Sequence, residues 1–164
     1  MYSAKQLSLL ALVLAQLLAV IQGGVYDNTD NWVLADKTKN FPENAVLGGF
    51  DSTGYNLYVG RTTSGTSILP VRVIAETRVA TFNSDTAVST ATTYDLLISN
   101  ATLSYNWVRS FDGYRESNAV SVGTNSTNDQ VFICRARGNS AQIIGTLFPA
   151  QKEVPDPLWN SGNE

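Results

Sequence analysis

From Tyr55 to Thr62 the chain reads YNLYVGRT, with Leu57 and Val59 alternating against Asn56 and Tyr58. Further on, QVFICRAR (Gln130–Arg137) repeats the alternation, with Val131 and Ile133 opposite Phe132 and Cys134. A period of two places successive side chains on opposite faces, so both runs are predicted to be strands. Four more runs rich in β-branched and aromatic residues carry the same expectation: SILPVRVIA from Ser67, TYDLLIS from Thr93, LSYNWVRS from Leu103 and AQIIGTLF from Ala141. Between them stand DSTG, TTSGTS and TNSTND, whose Gly, Ser, Thr, Asn and Asp are turn chemistry. Past residue 23, no stretch keeps a helical period over three turns. The pattern predicts an all-β domain of about ten short strands sharing a core.

One line occurs twice. NAVLGGFDSTGYNLYVGR (Asn44–Arg61) returns as NAVSVGTNSTNDQVFICR (Asn118–Arg135) at a constant spacing of 74 residues, and NWV at Asn31 returns at Asn106 with one residue of slip. Internal repeats decide architecture. The expectation is two tandem β-repeats, related by a pseudo-twofold and sharing one compact domain: repeat one at 31–98, repeat two at 106–149 and a tail at 150–164. YDLLI closes the first repeat, whereas the second has only the tail, whose VPDP cannot pair inside a sheet. The tail packs as a loop, or the halves exchange edges unequally; both readings stay open.

Residues 1–23 fall outside this pattern. Lys5 precedes an apolar run from Leu7 to Ile21, with Gly23 and Gly24 suited to a signal-peptidase site. A signal anchor is the rival reading. Gln16 interrupts the run, which is short for the ~20 residues of a spanning helix. The expectation is a secreted domain over 24–164 with no integral membrane segment once the leader is removed. The net charge is −3, one unit more acidic without Lys5, and no basic stripe appears, so nucleic acid and anionic membranes are poor partners. Cys134 is the single cysteine, which rules out an intramolecular disulfide and reads as a small hydrophobe within a strand. NAT at Asn100 and NST at Asn125 are glycosylation sequons, the second in a polar turn.

Catalysis finds little support. The chain has no histidine, which excludes His-containing triads, His bases and His metal ligands, and a lone cysteine excludes thiolate zinc sites. No phosphate-cradling or dinucleotide-binding glycine motif is present, so no cofactor is expected. A glycosidase needs two carboxylates at a set separation, and no spacing singles out a pair among Glu43, Asp51 and Asp112.

Trp32-Val33, the run Pro42–Arg61, ILPVRV from Ile68 and YDLL from Tyr94 resemble the DM-nine repeat family, whose pattern is W-V, P-x-N-A-V-x-G-G-x-D-x-x-G-x-x-L-Y-V-G-R, L-P-G-K-V and Y-E-V-L. The resemblance is strong over Trp32–Ile98 and weaker over Trp107–Phe148. It implies a pair of interlocked β-units, and mannose-type carbohydrate binding linked to innate immunity, since some members are mannose-binding lectins. In those lectins the aspartate of G-G-x-D and the lysine of P-G-K hold the sugar. The matching positions are Asp51 and Arg72, with Val71 in place of the family glycine. Arginine keeps the charge but offers a planar fork where lysine offers a point charge, so this first site is altered. Tyr55 and Tyr58 could present an aromatic face to the ring. In the second repeat Asn125 stands for Asp51, and IIGTL, around Thr146, aligns with ILPVR and brings no cation. A second family-type site is not expected.

Each of these residues also has a plainer reading. Asp51 opens DSTG as a turn residue would. Arg61 and Arg135 end equivalent strands and read as structural, satisfying internal carbonyls or a carboxylate. Trp32 and Trp107 read as packing between or within the halves, and Gly48, Gly49 and Gly60 as positions of close backbone approach. The resulting function is a secreted carbohydrate-binding or pattern-recognition protein. Its rival is an interaction module of the same fold that has lost its sugar.

Overall fold

The computed structural model describes residues 24–84, 87–111 and 113–149. The expected leader, the tail at 150–164 and Asp112 lie outside them. Ten strands form in chain order: β1 (Trp32–Leu34), β2 (Leu47–Phe50), β3 (Asn56–Ser64), β4 (Ser67–Ile74), β5 (Ala80–Asn83), β6 (Val88–Ala91), β7 (Asp95–Leu97), β8 (Ser121–Thr124), β9 (Gln130–Arg137) and β10 (Gln142–Leu147). All pairings are antiparallel and belong to one sheet, in the order β6-β5-β4-β3-β2-β10-β9-β8. β7 lies beside β3 where β2 leaves off, at Gly60 and Arg61, and β1 lies on β7. Among the described residues there is no helix, and none long and apolar enough to cross a membrane.

The alternation seen in the sequence sets the burial. Leu57 and Val59 enter one core cluster with Val46, Leu97 and Ile144. Their neighbours across β4 divide by parity: Val71 and Val73, opposite Gly60 and Tyr58, enter a second cluster with Ala80, Phe82, Tyr94, Leu96 and Val131. β3 and β4 are therefore covered on both faces, which accounts for their near-continuous apolar runs.

The 74-residue spacing reappears in the backbone. The register slips between Leu47 and Gly49 in β2, and between Ser121 and Gly123 in β8, the same bulge in each half. Arg72 faces Val59 across β4–β3, and Thr146 faces Ile133 across β10–β9. At both bulged glycines backbone from outside the glycine's own half comes close: a Cβ on Gly49 would overlap the carbonyl of Gln142 in the second half, and one on Gly123 would overlap that of Val25 in the N-terminal segment. The segment from Gly24 to Tyr26 lies between the halves. Gly24 N donates to Thr66 O (2.6 Å), Thr124 N donates to Val25 O (2.9 Å), and Tyr26 bridges to Gly123.

The halves are unequal beyond that. β1, β5, β6 and β7 have no counterparts among the described residues of the second half. LSYNWVRS is not a strand, against expectation, and no strand is described between Ile98 and Ser121. Trp32 is held in β1 by pairing with Leu97 of β7, whereas Asn106–Val108 meets no such partner. Trp107 instead donates Nε1 to Leu47 O (3.0 Å).

Candidate functional site

Asp51 directly follows β2 and opens the turn into β3. Its Oδ1 accepts from Thr53 N (2.9 Å), Thr53 Oγ1 (2.7 Å) and Tyr55 N (2.9 Å), and its own N donates to Tyr55 O (2.9 Å). This is an Asx turn, with Gly54 supplying the positive φ of +92°. The Thr53 hydroxyl, helped by the backbone N–H groups of the turn, holds the carboxyl below its ordinary range. Asn125 builds the same turn: its Oδ1 takes Thr127 N (3.0 Å), Thr127 Oγ1 (2.9 Å) and Asp129 N (2.8 Å), and Asn128 sits at φ +67°. What the repeat preserves at this position is an acceptor oxygen, with or without charge.

Arg72 lies on β4 with 8 % of its surface exposed; its Nη2 donates to Asn83 Oδ1 (2.7 Å), and Thr81 Oγ1 lies 3.4 Å from its Nε. It faces Val59, while Asp51 sits at the level of Tyr55, so the two are separated by about 13 Å along the strand direction alone. No contact between Asp51 and Arg72 is described: Asp51 Oδ1 is taken up by its own turn, and Arg72 by Asn83 of β5. Val71, the residue that departs from the family glycine, is fully buried opposite Gly60, where a Cβ on the glycine would come within 2.8 Å of it. Tyr55 is exposed at the turn. Tyr58 packs its ring on Phe41, with centroids 4.8 Å apart.

Arg61 and Arg135 have the structural surroundings expected of them. The Arg61 guanidinium lies between the rings of Tyr26 and Trp32, each 4.5 Å away. Its Nε donates to Asp95 Oδ2 (3.0 Å), Nη1 to Val122 O (3.0 Å) and to Asp27 O, and Nη2 to Asn28 Oδ1 (2.9 Å). Arg135 lies 4.5 Å from the ring of Trp107, and its Nη1 reaches Gly48 O (3.5 Å). Burial pushes its guanidinium pKa down. Gly48 and Val122 are themselves 74 residues apart, so each half's arginine reaches the matching carbonyl of the other.

Both sequons lie in turns. Asn100 is exposed, and its Oδ1 accepts from Thr102 N (2.9 Å), Thr102 Oγ1 (2.9 Å) and Leu103 N (2.8 Å). Asn125 is half-buried, and its Nδ2 donates to Asp129 Oδ2 (3.2 Å). No group of three or more metal-ligating side chains occurs among the described residues.

The sequence reading did not single out a cleft of about 370 Å³ beside the Arg61–Asp95 pair. Thr62 and Thr63 of β3, Thr90 of β6, and Thr92 and Thr93 of the β6–β7 link line it, with Tyr26, Leu34 and Asp95. Thr62 Oγ1 donates to Thr93 O (2.7 Å), pinning the link to β3, and Tyr26 Oη lies 2.6 Å from Thr63 Oγ1. The threonine density of STATT (Ser89–Thr93) was the available signal.

Compared with known proteins, residues 51–155 match the family model of the DM9 repeat. No curated protein matches the chain.

Proposed function

The chain belongs to the DM9 repeat family, and on that premise we propose that it is a secreted carbohydrate-binding module of lectin type, directed at mannose-type glycans, and not an enzyme. Family membership carries the reading. The absence of histidine from the whole chain, together with the lone cysteine, supports binding over catalysis. Secretion rests on the Leu7–Ile21 run, and glycosylation on the sequons at Asn100 and Asn125. A glycan array probed with the purified chain tests the function: signal on mannose-rich glycans is expected, and a blank array defeats the proposal. Mass spectrometry of protein from the medium tests export. A chain beginning at Gly24, shortened in mass by N-glycosidase, is expected, and an intact Met1 defeats it.

The engagement of Asp51 Oδ1 by its own turn, and of the nearly buried Arg72 by Asn83, favours a second reading, an interaction module that keeps the fold without the family's sugar site. The double variant Val71→Gly/Arg72→Lys restores the family residues. Mannose heat from that variant and none from wild type would identify a lectin scaffold whose site has decayed.

A further inference from the structure

Resting on the carbohydrate reading, the geometry points to the threonine-lined cleft between Tyr26, β3 and the β6–β7 link as a binding site for a neutral sugar ring, with Asp95 as its anchoring carboxylate. Its volume of about 370 Å³ lies within the range of small-molecule sites, and its walls come from strands and their ends.

The chemistry of the lining selects the ligand. A threonine hydroxyl both donates and accepts, as each hydroxyl of a sugar does. Thr63 on β3 and Thr90, Thr92 and Thr93 on the stretch from β6 into its link to β7 present exposed side chains, so hydroxyls reach the cleft from two separate stretches of chain. Beneath them Asp95 gives Oδ2 to Arg61, and among the described residues no donor takes its other oxygen. A carboxylate oxygen held in place this way can accept from a sugar hydroxyl in a charge-assisted bond, stronger than a neutral one. Leu34, 64 % exposed at the rim, offers an apolar surface to the C–H face of a pyranose.

Electrostatics narrows the choice to uncharged sugars. No lysine or arginine is among the lining residues. Arg61, which pairs with the lining Asp95, has its nitrogens directed to Asp95, Asp27 O, Val122 O and Asn28, and Lys37 lies with its Nζ 6.0 Å from the ring of Tyr94. An acidic sugar would bring its carboxylate or sulfate toward Asp95, and no cation among the lining residues offsets it.

The test is calorimetry on the full secreted chain with mannose, glucose, galactose and N-acetylneuraminic acid. At least one neutral hexose should bind and the acidic sugar should give no heat. Thr90→Val/Thr92→Val should weaken neutral-sugar binding by about tenfold or more, as expected for removing two hydroxyl hydrogen bonds, with an unchanged melting temperature. Asp95→Asn should weaken it further; because it also disturbs the Arg61 pair, the threonine variant carries the decision. Unchanged binding by the threonine variant overturns the cleft. If Asp51→Ala abolishes that same binding, the carbohydrate reading stands with its site elsewhere. If no sugar gives heat with wild type, the carbohydrate reading falls and takes the cleft with it.

Discussion

Arg61 and Arg135 occupy matching positions on β3 and β9, yet their surroundings diverge. Both stack on a tryptophan at 4.5 Å and both reach a carbonyl of the opposite half. Around Arg61 the chain adds a second ring, a carboxylate and two further oxygens, leaving 3 % of its surface exposed. Around Arg135 the described residues add neither carboxylate nor second ring, and it is exposed. The first half has β7 beside β3 and the segment Asp27–Asn28 above it; among the described residues β9 has no such neighbour. The repeated line of sequence directs the arginine, and the unrepeated segments decide how completely it is enclosed.

The comparison breaks most sharply at Arg61. Arg61→Met strips the Asp95 carboxylate and the Val122 carbonyl of their donor, and removing one partner of a buried pair costs about 3–5 kcal/mol. Chemical denaturation should show a loss of that size; a loss below about 1 kcal/mol would mean that enclosure adds little. Next comes Gly49→Ala, which drives a methyl into the Gln142 carbonyl where β2 meets β10; forced shifts of this kind cost about 1–3 kcal/mol. Gly123→Ala should behave alike, with added strain from its φ of +147°. An unaffected midpoint in either variant would break the equivalence of the two bulges.

Arg135→Met should cost about 1 kcal/mol, the scale of a cation–π contact at a partly open site. A loss equal to that of Arg61→Met would show that the second arginine is as enclosed as the first in solution. The smallest effect belongs to the turns. The Asp51 carboxyl titrates below its ordinary value when folded, so its stabilising contribution is present above the unfolded pKa and fades as pH falls through the folded one. Asp51→Asn copies the uncharged turn of Asn125 and should flatten this acid limb in pH-dependent denaturation while leaving neutral stability nearly unchanged. An unaltered acid limb would show that the turn charge contributes nothing to folding.

Much of the fold was legible because two strands carry clean alternation. Leu57 and Val59 turn into one core as their parity requires, and Val131 is buried in the other, where Phe132 of the opposite parity is buried beside it. β5 and β6 were not singled out: ATFN and VSTA are short and mixed, and become strands by pairing outward from β4. LSYNWVRS shows the converse, β-prone residues without a strand to pair with. At the candidate site, Asp51 could be read as a turn residue from DSTG alone. The distance from Asp51 to Arg72 could not be read, because it depends on the register of β3 against β4. The cleft was hidden for the same reason: Tyr26, Thr63 and Thr90 are far apart in the chain and meet only through pairings no local pattern encodes.

The wider expectation, that residues 31–98 and 106–149 superpose as whole units, goes beyond the equivalences seen here. Those are confined to the bulges, the turns, the arginines and three strands on each side.

The crossed arginines have a consequence for how the chain can be divided. One bond of Arg61 ends on Val122 O and that of Arg135 on Gly48 O, so each half's arginine draws one of its oxygens from the other half. The stretch from Ser99 to Val120, with no described strand, joins them. A chain nicked there would yield two fragments, each completing the other's polar core. Such fragments suit complementation: mixed, they would recover the fold as a noncovalent pair, and apart they would remain incomplete.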